Sequence, residues 1–220
     1  MRSRCDKIFY LIFDRIPREQ ARSLFTITNR QWIDEAISEG RGVYVALSHH
    51  GAHHVAAMFL ALEGYKVAGV RDRRESGLRR FVQDRFDRLY PDLGRLRVLF
   101  SDSYPRDIYR CFQDGYVLGS MMDIARIRDE NQQIVALTMF GEKRHFLPGP
   151  LRVAIRCRAA VIQGFVIPEP DFRYRLVLVE KLIEPDACSD DDEVLLAALR
   201  TYAGNIEKQI QSTPSLLTRI

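Results

Sequence analysis

Apolar residues follow two alternating periods along this chain, one typical of strands and one typical of helices. Short apolar runs of the buried-strand kind occupy 43–47, 66–70, 96–100, 116–120, 134–140, 160–167 and 173–180. Helical spacing of apolar residues occupies 17–39, 52–63, 76–90, 103–115, a segment after Pro150 and a segment after Ser189. This order predicts an α/β fold with a mostly parallel mixed sheet flanked by helices and a late antiparallel part. Without linkers or repeats, we expect one domain over residues 1–220.

The composition supports a packed core and narrows the class of protein. Hydrophobic residues make up 46% of the chain and charged residues 28%, which excludes a disordered chain or a coiled coil. No apolar run approaches the roughly 18 residues of a membrane-spanning helix, and the N-terminus makes a poor signal peptide. The four cysteines lack C-x-x-C spacing, so neither a zinc site nor a disulfide framework is indicated. We therefore expect a cytoplasmic protein.

Arginine dominates the positive charge. The net charge is only +4, but the stretch 71–97 holds nine arginines against five acidic residues. Guanidinium groups suit phosphate and carboxylate partners, while a charged helix face is also often merely solvated. The stretch is therefore either a binding surface for an anionic partner, such as an anionic membrane surface, or only a solvated helix face, and both interpretations stay open. No motif of a nucleic-acid-binding module occurs, so we expect no nucleic acid partner.

Four of the five histidines lie within six residues, where a predicted buried strand ends and a predicted buried helix begins. The segment reads Ser48-His49-His50-Gly51-Ala52-His53-His54. Ligands bind at the carboxyl ends of strands in α/β sheets, which makes this cluster a candidate site. One interpretation is a metal site with His50 and His54 on one helical turn, although no Glu follows the first histidine as in the zincins. Another is the His-His-x-x-x-Asp-Gly motif of condensation-type acyltransferases, in which His54-Val55 would replace Asp-Gly.

A third interpretation covers about residues 40–212. The matching features are the apolar strand before His49, the apolar helix ending in Gly64-Tyr65, a strand ending in Arg71, an arginine-rich helix, Gly119-Ser-Met-Met-Asp123, Phe140-Gly141, Pro148-Gly149-Pro150 and the strand from Ala160. In this order they resemble the lipid A biosynthesis acyltransferases, the lauroyl and myristoyl transferases of bacterial inner membranes. The family's N-terminal membrane-anchoring segment is not found here, so the resemblance is to a divergent, N-terminally short member.

The resemblance implies an activity and roles for named residues. Such enzymes move an acyl chain from a thioester on acyl carrier protein or coenzyme A to a hydroxyl, or an amine, of a lipid-like acceptor, with no cofactor beyond the acyl thioester. His49 would be the general base, with His54 and Asp123 as further catalytic residues. The expected substrate-binding residues are Arg71, Arg74, Gly51 and Gly149. The N–H groups of Gly51 and Ala52 would stabilise the oxyanion. No metal is expected, and the protein would work in the cytoplasm or peripherally on the inner face of the membrane.

One departure from the family bears on the catalytic chemistry. The family carries an acidic residue five positions after the catalytic histidine, and this sequence has His54 there. Two alternatives follow: a variant dyad in which Asp123 or another carboxylate supplies the charge, or a degenerate site that only binds acyl chains or a partner protein. A metal-dependent hydrolase built on the histidine cluster is a further alternative.

Overall fold

The computed structural model describes residues 12–71, 77–93, 96–100, 105–124, 133–183 and 192–217. The strands are β1 (Phe25–Thr28), β2 (Val43–Leu47), β3 (Val67–Arg71), β4 (Arg97–Phe100), β5 (Val117–Met121), β6 (Asp123–Ile124), β7 (Val135–Met139), β8 (Glu142–Phe146), β9 (Ala160–Pro168) and β10 (Tyr174–Ile183). The α-helices are α1 (Arg18–Ser23), α2 (Gln31–Ser38), α3 (Ala56–Leu62), α4 (Gly77–Leu89), α5 (Pro105–Gln113), α6 (Gly149–Arg156) and α7 (Asp192–Ser212).

The main sheet has the order β1-β10-β9-β2-β5-β3-β4 within the described residues. Strands β9, β2, β5, β3 and β4 run parallel, whereas β10 runs antiparallel to β9 and β1 lies parallel to β10. The predicted α/β fold with a mostly parallel mixed sheet flanked by helices is therefore confirmed. A smaller antiparallel sheet, in the order β6-β8-β7, continues from the carboxyl end of β5.

The central strand β2 is buried on both faces, which explains its nearly continuous apolar sequence. Val43, Val45 and Leu47 point into the core covered by α1, α2, α3 and α4. Tyr44 and Ala46 point into the opposite core, covered by α5, α6 and α7. Successive side chains alternate between the two cores because a strand has a period of two residues. The residues after Leu47 consequently emerge at the carboxyl edge of the sheet, between two layers of helices.

Strands β1 and β8 lie where the sequence predicted no strand. Strand β1 interrupts the predicted helical segment 17–39, and its Phe-Thr-Ile-Thr sequence is rich in the aromatic and β-branched residues that suit a strand. Strand β8 contains His145 and lies between the predicted strand 134–140 and the predicted helix after Pro150, where the sequence predicted no element. It pairs with β7 through a tight hairpin in which both Phe140 and Gly141 have positive φ.

The C-terminal helix α7 is the longest helix of the described residues and packs across the sheet. Its buried residues are Leu195, Ala198, Leu199, Tyr202, Ala203 and Ile206. Within the described ranges every helix is too short or too polar to cross a bilayer.

Candidate active site

His49 and Asp123 leave two neighbouring parallel strands at equivalent positions. Leu47, the last residue of β2, pairs in register with Met121, the last residue of β5. Each of the two candidate residues follows two positions later, because the chain continues past both strands at the same edge of the sheet. The topology therefore brings together two side chains that are 74 residues apart in sequence.

The His49 imidazole and the Asp123 carboxylate form an ion-pair geometry. Nδ1 of His49 lies 3.3 Å from Oδ2 of Asp123, and the main-chain N–H of His49 donates to the same oxygen at 2.9 Å. Their side chains are 20% and 22% exposed, so solvent or a substrate reaches them while protein surrounds most of each group. A carboxylate at Nδ1 favours the tautomer with a proton on Nδ1, which makes Nε2 the basic nitrogen. The contact that the family resemblance assigned to residue 54 is thus made by Asp123.

The remaining histidines of the cluster extend from His49 toward the core. The His53 ring lies edge-on to His49 with centroids 5.3 Å apart, and it lies 3.8 Å from the ring of His54. His53 is buried and His54 is half-buried. The His53 ring thus lies next to both the His49 ring and the His54 ring.

His53 and His54 line one end of a cavity on the α3 and α4 side of the sheet. The cavity has a volume of about 100 Å³. Its walls are almost entirely aliphatic or glycine, from β2, β3, β4, β5, α3 and α4, and the other polar residues lining it are Gln83 and Arg97. Two strand glycines, Gly69 and Gly119, lie in its wall and leave it without side chains there. The site thus combines a His–Asp pair with an adjacent apolar space.

The role expected for the N–H groups of Gly51 and Ala52 is wrong. The N–H of Gly51 donates to the carbonyl of Leu216 at 2.8 Å, and that of Ala52 donates to the carbonyl of Val166 at 2.7 Å. Neither group is aimed at a substrate. Gly51 is required for close packing instead, because it has a φ of +73° and a Cβ there would lie 2.1 Å from the Val166 carbonyl oxygen.

His50 attaches the histidine segment to the end of α7. Its Nε2 lies 2.9 Å from the carbonyl oxygen of Thr213, so Nε2 carries the proton and donates it. The residue is 1% exposed. Burial lowers the pKa of His50, an effect that the Thr213 carbonyl and the Asp123 charge partly oppose. His50 therefore has a structural role in the neutral form.

This burial predicts a pH-dependent stability. Below its ordinary pKa of about 6.5 an unfolded-state histidine takes up a proton that buried His50 resists, so acid favours unfolding. We expect the free energy of unfolding to fall between pH 7.5 and 5.5 with a contribution of up to about 1.4 kcal/mol per pH unit from this one group. Urea denaturation of wild type and His50→Gln at both pH values measures the difference. Equal losses in the two proteins would contradict the prediction.

The other expected site residues are only partly placed by the structure. The main chain of Arg71 ends β3, opposite Phe100, while its side chain and the whole of Arg74 lie outside the described residues. Gly149 begins α6, and the segment before it reaches the site because Leu147 N–H donates to the Met122 carbonyl at 2.8 Å. Among the residues that the structure describes, no three His, Cys, Asp or Glu side chains are grouped as metal ligands would be.

Sequence reasoning missed a tyrosine at this site. The Tyr202 hydroxyl, from α7, lies 3.2 Å from Oδ1 of Asp123.

A comparison of the sequence with known protein families gives no match, and a search of curated proteins gives none either.

Proposed function

We propose that this protein transfers an acyl chain from a thioester of acyl carrier protein or coenzyme A to a hydroxyl of a lipid-like acceptor. The observation that carries the proposal is the His49–Asp123 pair, 3.3 Å apart at the carboxyl edge of the sheet and linked through His53 to an apolar cavity. A carboxylate at one nitrogen orients an imidazole so that its other nitrogen acts as a general base, and an adjacent apolar space suits an acyl chain.

The reaction follows from this arrangement. Nε2 of His49 takes the proton of the acceptor hydroxyl while that oxygen attacks the thioester carbonyl carbon. The tetrahedral adduct collapses with cleavage of the carbon–sulfur bond, and the thiolate leaves with the proton that His49 holds. The Asp123 carboxylate holds the imidazole in the productive tautomer and stabilises the imidazolium.

The cavity favours a short acyl chain or one segment of a longer chain. Its volume of about 100 Å³ is below the roughly 150 Å³ of an apolar cavity that binds benzene. It therefore accommodates a few methylene groups, each worth about 0.8 kcal/mol when buried.

Filling the cavity is expected to weaken acyl binding. A Cβ on Gly119 would meet only the Leu47 side chain, at 3.6 Å, so a larger residue fits the strand and projects into the cavity. Excluding two or three methylene groups in Gly119→Leu should raise the Kd for an acyl thioester about 10- to 50-fold. Calorimetric titration with an acyl-coenzyme A measures this. Gly204→Leu is the matched control, because Gly204 lies on α7 with open space at its Cβ. Equal affinity in both variants would place the acyl chain elsewhere.

Helix α4 is the surface proposed to meet the acidic partners. Its residues Arg80 and Arg88 are exposed, and Phe81 beside them is 48% exposed, while Val82 and Gln83 line the cavity from the inner side. Arg85 is instead paired with Asp14. Exposed guanidinium groups next to an exposed aromatic ring suit an anionic lipid surface or acidic acyl carrier protein. Such docking would place the enzyme on the cytoplasmic face of the membrane.

Docking through α4 predicts salt-sensitive binding. Each arginine near an anionic surface contributes about 1 kcal/mol, so replacing Arg80 and Arg88 with Gln should weaken binding about 10- to 30-fold at low salt. Co-sedimentation with anionic vesicles and titration with acyl carrier protein, at low and high salt, measure the effect. Arg106 and Arg110 are exposed on α5, on the opposite side of the sheet, and their double replacement with Gln is the control. Binding that does not change with salt, or that weakens equally in both double variants, would mean that α4 is only a solvated helix face and not the docking surface.

A transfer assay tests the activity itself. Purified protein is incubated with radiolabelled acyl-coenzyme A or acyl carrier protein thioester and a bacterial lipid extract, and the label is followed into lipid. Label in lipid that depends on the protein supports the proposal. Binding of the thioester without transfer would identify a degraded homologue, and chelator-sensitive thioester hydrolysis would identify a metal-dependent hydrolase.

A further inference from the structure

The hydroxyl of Tyr202 lies where the ends of β2 and β5 meet. Its single O–H proton is shared between the carbonyl of Leu47, at 2.5 Å, and Oδ1 of Asp123, at 3.2 Å, and its oxygen accepts the N–H of Met122 at 3.4 Å. Tyr202 is completely buried. One side chain of α7 thus connects both strand ends with the carboxylate of the candidate dyad.

Asp123 is consequently held through both of its oxygens. Oδ2 accepts the main-chain N–H of His49 and faces its Nδ1, while Oδ1 accepts the Tyr202 hydroxyl. Rotation of the carboxylate breaks contacts on both sides. The Tyr202 contact therefore opposes the motion that would take Oδ2 away from the imidazole.

Tyr202 is itself fixed by a buried polar network. Its carbonyl accepts a hydrogen bond from the amide of Gln163 at 3.0 Å, and the Gln163 amide oxygen accepts one from Asn205 at 2.9 Å. The Tyr202 ring packs edge-on against Phe146, with centroids 6.0 Å apart. Burial and the nearby Asp123 charge raise the pKa of Tyr202 well above its ordinary value, so the hydroxyl keeps its proton at physiological pH.

We infer that Tyr202 is a positioning residue for the His49–Asp123 dyad: it acts through Asp123 and selects the Nδ1–H tautomer of His49. The inference rests on the proposed function for its catalytic meaning. The coupling between the three side chains is a property of the folded protein alone, so it is measurable without substrate.

The test follows the His49 tautomer by ¹⁵N NMR of the imidazole in the full chain. In wild type we expect the Nδ1–H form to dominate. Tyr202→Phe should lower the ratio of Nδ1–H to Nε2–H about threefold to tenfold, the change in an equilibrium that one hydrogen bond produces. Tyr65→Phe is the matched control, because Tyr65 is also buried but donates its hydroxyl to a different carboxylate, that of Asp34, at 2.6 Å. It should leave the ratio unchanged.

Two other results would overturn the inference in distinguishable ways. A wild-type ratio in Tyr202→Phe, with the Nδ1–H form lost in Asp123→Asn, would leave the dyad intact and remove Tyr202 from it. An unchanged His49 tautomer in Asp123→Asn would show that Asp123 does not act on His49, and it would contradict the proposed mechanism as well. Should Tyr202→Phe not fold, ¹³Cζ-labelled tyrosine serves instead: Asp123→Asn should shift the Tyr202 resonance and not that of Tyr65, and a Tyr202 resonance that does not shift would overturn the inference.

Discussion

Replacing His49 with alanine is expected to lower the rate of acyl transfer by about 100-fold or more while the protein stays folded. We propose that the imidazole takes the proton of the hydroxyl group on the lipid acceptor. A positioned general base raises the reaction rate about 10²- to 10⁴-fold. Its side chain is 20% exposed and belongs to neither core, so its loss should not disturb packing. Steady-state transfer from an acyl thioester, with thermal unfolding as the folding check, measures both.

His145→Ala is the control for this experiment. His145 lies in β8 and pairs with Ile124, one residue beyond Asp123, so it tests whether any histidine near the site affects the rate. We expect near-wild-type transfer from this variant. Near-native turnover by His49→Ala would mean that His49 is not the general base.

Asp123→Asn is expected to have an effect of similar or larger size. An amide at this position offers an N–H to Nδ1 and favours the wrong tautomer, and loss of the orienting carboxylate charge in a serine protease costs about 10⁴-fold in kcat. We expect a loss of about 10²- to 10⁴-fold in kcat. The hydrogen bonds from the His49 main chain and Tyr202 also weaken, so stability should fall by about 1–3 kcal/mol.

Asp114→Asn separates this effect from a general loss of negative charge. Asp114 pairs with Arg97 at 3.4 Å and is 58% exposed, so its replacement should leave both rate and stability nearly unchanged. Measurements of kcat and of urea denaturation on Asp123→Asn and Asp114→Asn distinguish the two effects. Equal rates for Asp123→Asn and wild type would mean that the carboxylate does not assist His49.

The sheet was predictable where buried strands have a strong local pattern, and it was not where pairing depends on distant residues. Strand β2 is apolar on both faces and reads as a strand by itself. Strand β1 lies at the sheet edge and exists because β10 pairs with it, 149 residues later at Thr28 and Val177. Strand β8, with the sequence Glu-Lys-Arg-His-Phe, carries a single apolar residue, so no hydrophobic period marks it.

Two residues of the candidate site, His49 and Asp123, could be named from the sequence, but the geometry that joins them could not. The position of His49 after a buried strand indicated the edge of the sheet, and Asp123 stood at the end of another strand. Nothing local indicates that β2 and β5 are neighbours in register, which brings Asp123 to the His49 imidazole. Tyr202 carried no signal either, since its neighbours in the site come from strands far away in sequence.

The hydrogen bonds of Gly51 and Ala52 likewise could not be predicted from the local sequence. A glycine beside a helix start is compatible with an oxyanion site and with a tight turn. Only the approach of Val166 and Leu216, both more than 100 residues later, shows that these N–H groups are already used.

The most direct test of the central claim measures thiol release from an acyl thioester with and without a lipid acceptor, in wild type and in His49→Ala. The proposed mechanism predicts that wild type releases thiol together with an equal amount of acylated lipid, and that this release falls sharply without acceptor. His49→Ala should release thiol and form acylated lipid far more slowly. Thiol release by wild type that is independent of acceptor, or acylated lipid formed equally well by His49→Ala, would contradict the proposed mechanism.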